Sequence, residues 1–112
     1  MEIRRVGPDP EVARWRAEQA RLWIVNQVAE SGRPVADIER EMGAKPGAFL
    51  RYLAGLAVPD QDLGWHNGGM RVLATAIGCD YWDLYQRFFG SEVTRYARLA
   101  DEGGLFSKDS GL

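Results

Sequence analysis

The chain has 112 residues and a net charge of −2, with 46% hydrophobic and 27% charged residues. That length suits one domain with a real core, and the composition excludes a disordered or fibrous chain. The charge provides no global positive field of the kind that draws a protein to nucleic acid.

At the N-terminus, "MEIRRVGPDP" carries two arginines with no apolar segment behind them, so it does not read as a signal peptide. No apolar run approaches the ~20 residues that span a bilayer. The single cysteine, Cys79, excludes an intramolecular disulfide framework and suits a reducing compartment. A cytoplasmic protein with no membrane partner is expected.

Asp9 caps a first helix and Pro10 takes its first position, where a missing N–H costs nothing. Ala13, Ala17, Ala20, Ile24 and Val28 form one stripe at helical spacing, and Trp15, Leu22, Val25 and Ala29 form a second. A helix apolar over so much of its circumference is either central to the core or buried against a partner. Gly32 ends it.

Pro34 starts a short helix, "PVADIEREM", with Val35, Ile38 and Met42 on one side, and Gly43 stops it. Lys45 and Pro46 open the next, with Phe49, Leu50, Leu53 and Leu56 as inward candidates. The spacing predicts helices of about 9 and 12 residues on either side of Gly43. Pro59 bounds the second of them.

"DQDLGWHNGG" reads as a polar connection. Asn67 is the expected cap of "GGMRVLATAIG", where Met70, Leu73, Ala74 and Ile77 repeat at three and four. Asp80 caps "DYWDLYQRFFG", with Asp83 in its first turn, where an acid suits the helix dipole. Ser91 starts a last helix ending at Gly103–Gly104. No segment shows strand alternation. The order of short helix, tight glycine turn and second helix is the helix-turn-helix pattern. Residues 1–104 are expected to form one such domain, with the motif at about 34–57 and a flexible tail over 105–112.

Gly43, Phe49, Arg51, Gly55 and Pro59, together with Ile38 and "LATAIGCDYWDL" (73–84), resemble the phage-repressor family, the lambda-repressor-like, Cro-type helix-turn-helix domains. The likeness covers roughly residues 22 to 85. It implies an all-α bundle of five to six helices. Outside the shared span this chain has an extended first helix and an appended C-terminal helix. The likeness also implies a transcriptional regulator or repressor that binds double-stranded DNA as a homodimer.

A recognition helix sets its N-terminal residues against base edges. Here those are Lys45, Pro46, Gly47, Ala48 and Arg51. Arg51 suits a guanine edge and Ala48 a thymine methyl. Gly47 lets the backbone approach a phosphate. Arg33, Arg40 and Arg71 are further phosphate candidates. Residues 43 to 59 hold two basic residues and no acid, so the stretch is locally positive. The chain departs from the family at Pro34, Val35, Leu53, Leu56 and Ala57, where the family carries polar or charged residues. These departures suit an alternative, a protein–protein interaction module on the same scaffold that has lost base readout.

Six aromatics within sixteen residues, Tyr81, Trp82, Tyr85, Phe88, Phe89 and Tyr96, exceed what one helix pair usually buries. Core packing is the plain reading. A dimer interface through Tyr81, Tyr85, Phe88, Phe89 and Tyr96, or through the long first helix, is the sharper one. His66 is read as a loop surface residue and Cys79 as a small buried hydrophobe. Asp60 and Asp62 are read as loop polarity. No nucleophile–base pair or paired-carboxylate arrangement is present, so no enzyme, cofactor or metal is expected.

Overall fold

A computed structural model of the protein describes residues 9–102, apart from the side chain of His66. The expected stop at Gly103–Gly104 and the tail over 105–112 lie outside the described residues. Among the described residues every element is helical: α1 (Pro10–Ser31), α2 (Val35–Met42), α3 (Ala48–Leu53), α4 (Asp60–Leu63), a 3-10 turn (Trp65–Asn67), α5 (Gly69–Ile77), α6 (Tyr81–Phe89) and α7 (Ser91–Asp101). The all-α expectation holds, with seven α-helices among the described residues and not five or six. None of the described helices is long and apolar enough to cross a membrane.

Local chemistry sets the helix starts. Asp9 Oδ1 accepts from the Glu11 N–H at 2.7 Å, and Pro10 follows as the first helical residue. Asp80 Oδ2 accepts from the N–H groups of Trp82 and Asp83 at 3.0 and 3.3 Å. Each bond satisfies a donor that the first turn cannot pair internally. The expected cap Asn67 is displaced by one residue: left-handed Gly68 precedes α5.

Ile24 and Val28 of α1, Ile38 and Met42 of α2, Phe49 of α3, Leu73, Ala74 and Ile77 of α5, and Leu84 of α6 make one core. Helix α1 packs along α6, α2 along α5, and α3 against both α2 and α1. The first stripe of α1 is buried only from Ala20 onward, because Ala13 and Ala17 lie exposed. Its second stripe is also open, with Trp15 63% exposed and Leu22 44%. The N-terminal half of α1 therefore extends past the core and leaves its apolar face uncovered.

Two expectations around the motif are corrected. Helix α2 has 8 residues, as the expected length of about 9 requires within a boundary residue, but α3 has 6 and not about 12. Pro34 caps α2 from outside, and α3 opens only after Gly47, whose φ of 84° no right-handed helix contains. Leu50 and Leu56, expected inward, are 58% and 56% exposed. Leu56 falls past the end of the shortened helix, and Leu50 sits on its outer face.

The polar connection after Pro59 is folded. Leu63 is fully buried, and Trp65 packs against the core. A Cβ at Gly64 would stand 2.6 Å from the Met42 carbonyl oxygen, so only glycine lets this segment close on the end of α2. Gly43, with φ of 75°, makes the turn after α2 and has open space around its Cα. Gly43→Val is therefore expected to cost only backbone strain, about 1–2 kcal/mol. Thermal denaturation followed by circular dichroism measures this, and an unchanged midpoint would show that the turn tolerates an ordinary residue.

Candidate nucleic-acid interface

Helix α3 is too short to be stable by itself. Residues of two other helices hold its ends. Glu39, on the inward face of α2 and 9% exposed, accepts from the Gly47 N–H through Oε1 and from the Phe49 N–H through Oε2, both at 2.9 Å. No side chain within α3 caps it. At the other end, Arg21 of α1 donates from Nη1 to the Leu53 carbonyl at 2.8 Å. A carboxylate at the start and a guanidinium at the end both suit the helix dipole. Glu18 binds the outer side of the same guanidinium, whose hydrogen bond holds the Glu18 carboxyl below its usual range.

The inner face of α3 is aromatic. Phe49 stacks on Tyr52 at 6.2 Å, Tyr52 meets the edge of Trp65 at 6.0 Å, and Trp65 meets Phe88 at 6.2 Å. This chain of rings ties α3 through the 3-10 turn to α6. Burial pushes the Tyr52 phenol well above its usual range, so it stays protonated at any ordinary pH.

The outer face carries the expected cations. Lys45 and Arg51 line one open groove of about 190 Å³, with Pro46, Val58, Pro59 and Asp62 as other walls. Lys45 has a 71% exposed side chain, and Arg51 is exposed. Arg51 makes no ion pair or hydrogen bond through its guanidinium among the described residues. Lys45 is engaged twice by α4: its N–H donates to the Asp62 carbonyl at 2.8 Å, and Nζ lies 3.2 Å from Asp62 Oδ1.

The remaining sequence candidates fall elsewhere. Ala48 is 6% exposed, so its methyl belongs to the core and is not offered to a base. The Gly47 N–H is taken by Glu39 and is not free for a phosphate. Arg33 is paired with Glu41, and Arg40 with Asp37 at 2.5 Å, so each is neutralised by an acid of α2. Arg71 lies among α5, α6 and α7, with its guanidinium carbon 4.0 Å from the Tyr81 ring centroid and Nη2 3.1 Å from Asp101. The structure thus brings together Lys45 and Arg51, while Arg33, Arg40 and Arg71 are held by partners of their own.

The aromatic stretch divides. Tyr81 and Phe88 pack against the core. Tyr85 is half-buried, 4.5 Å from the Phe89 ring. Phe89 and Tyr96 are exposed, as is Val93 between them. Cys79 is half-buried at the edge of the core, and burial pushes its thiol up, away from the reactive thiolate.

Sequence reasoning missed Glu39, Arg21 and Asp62. The first had a signal: Glu39 follows Ile38 on the face that Val35 and Met42 define, where a charge needs a partner. Arg21 and Asp62 had none, since their partners lie 32 and 17 positions along the chain. Comparison with protein-family models, with characterised proteins and with solved structures returns no match.

Proposed function

We propose that the chain is a cytoplasmic DNA-binding transcriptional regulator that uses the α2–turn–α3 unit as its reader and acts as a homodimer. The observation that carries this reading is the pairing of Lys45 and Arg51 on one open groove at the outer face of a braced α3. Arg51 is the base reader: exposed and paired with no acid among the described residues, it can meet a guanine edge with two hydrogen bonds. Lys45 supplies phosphate attraction without sequence information. A homodimer sets two such readers about one DNA turn, ~34 Å, apart. The uncovered faces available for pairing are the α1 stripe with Trp15 and Leu22, and the α6–α7 surface with Phe89 and Tyr96.

Fluorescence anisotropy against random-sequence duplexes tests the reading. One phosphate contact from Lys45 of each protomer, two at most in a homodimer, should make affinity fall by up to roughly tenfold between 50 and 200 mM salt. Salt-independent binding, or none, would contradict it.

A second reading has its own observation. Leu50 and Leu56 are more than half exposed on and just past α3, and the adjoining α4 carries Asp60 and Asp62. An apolar face with a charge-balanced rim suits a protein partner. In that case Leu50→Ala leaves the fold intact and abolishes capture of the partner.

A further inference from the structure

Both anion-attracting groups at the start of α3 face carboxylates from this chain. The backbone donors of Gly47 and Phe49 are filled by Glu39, as any stable α3 requires. The Lys45 pair is different, because no backbone donor depends on the Asp62 carboxylate. Asp62 is held in place by its own main chain, since its carbonyl receives the Lys45 N–H. Helix α4 is capped by Gly64, which closes against the Met42 carbonyl and so fixes the backbone that carries Asp62. The Asp62 side chain is 22% exposed, and Oδ1 is buried, 3.2 Å from the ammonium but without a hydrogen bond. Lys45 is the more accessible partner, with its side chain 71% exposed.

We propose that Asp62 is a built-in competitor for DNA phosphate at Lys45, which holds down non-specific affinity while leaving base reading to Arg51. This rests on the DNA reading above. A phosphate that takes the ammonium must leave a poorly solvated carboxylate uncompensated beside it, and must also approach that carboxylate. Each duplex pays this cost equally, whatever its sequence. Recognition is then weighted toward the arginine, which has no internal competitor among the described residues.

The test is anisotropy with random and selected duplexes over a salt series, on the full chain. Asp62→Asn keeps the shape and the backbone contact but removes the charge. It is expected to tighten binding to all duplexes about three- to tenfold at low salt and to steepen the salt slope by about one counterion. Asp60→Asn, on the same helix but without the contact to Lys45, should change affinity less than twofold. Lys45→Met should lower the salt slope by well under one counterion in the wild-type background, where Asp62 competes for the ammonium, and should remove the whole gain in the Asp62→Asn background. Circular dichroism reports folding. If Asp62→Asn does not fold, the Lys45→Met result alone decides: a loss of a full counterion from the slope would show that Lys45 already contacts phosphate freely, and would overturn the proposal. Equal gains from Asp60→Asn and Asp62→Asn would reduce the effect to net charge and overturn it too. Salt-dependent wild-type binding with no response to Asp62→Asn ends this proposal alone. Absence of duplex binding by wild type and variant ends the DNA reading as well.

Discussion

Glu39→Ala should lower the melting temperature by about 10–20 °C, corresponding to about 2–3 kcal/mol for a domain of this size. The carboxylate serves two N–H groups, one buried and one partly buried, at the mouth of a six-residue helix. Hydrogen bonds to a charged group are worth more than neutral ones, and a buried donor left bare costs about 1–3 kcal/mol. No side chain within α3 caps its start. Glu39→Gln separates the contributions, since its amide offers one acceptor where the carboxylate offers two. It should lose roughly half as much. Both variants are read by thermal denaturation. A midpoint unchanged in Glu39→Ala would mean that Phe49 alone, fully buried beneath α3, seats the helix.

Arg51→Ala should weaken binding to the preferred duplex by roughly 10- to 100-fold, about 1–3 kcal/mol, while sparing the fold. The guanidinium is solvent-facing and makes no pairing among the described residues, so its removal breaks nothing inside the protein. The loss should be confined to cognate sequence, with the preference flattened at one base pair and random duplexes nearly unaffected. Leu50→Ala is the companion variant. It should leave duplex affinity unchanged, because Leu50 contributes neither to the core nor to the polar groove. Anisotropy on a site selected from a random pool measures both. A uniform loss across all sequences on Arg51→Ala would make the arginine a phosphate contact. A loss of duplex binding from Leu50→Ala would place the apolar face against DNA.

Much of the helical punctuation was legible from the residues. Asp9 and Asp80 announce their helices because their side chains bond to the very next turn, and Gly32, Gly43 and Gly78 mark ends because a left-handed residue must follow. These are local effects. The length of α3 was not legible, because Lys45–Pro46 makes as good a helix start as any. What delays it is the left-handed Gly47 and a cap arriving from α2. Helix α4 was read as a loop because four residues give no period to detect. Its place depends on Leu63 reaching the core and Gly64 closing on Met42.

The candidate site was legible in the same partial way. Lys45 and Arg51 were legible as the basic residues of the 43–59 stretch, but charge alone did not show which arginines were already occupied. Arg33 and Arg40 find acids within α2 or at its edge, and Arg71 finds Tyr81 and Asp101. The local positive charge counted over 43–59 also stopped one residue short of α4, whose Asp62 meets Lys45. A segment charge is a poor guide where the next helix folds back on it.

The central claim is that duplex DNA docks on the groove between Lys45 and Arg51. Amide chemical-shift mapping of the isotope-labelled protein, titrated with a duplex selected from a random pool, tests it most directly. The largest shifts are expected across the Gly43–Gly47 turn, with Arg51 Nε moving and saturating together with them, and little change along α7. Perturbations centred on Phe89, Val93 and Tyr96 with the turn unmoved, or no shifts at any DNA concentration, would contradict it.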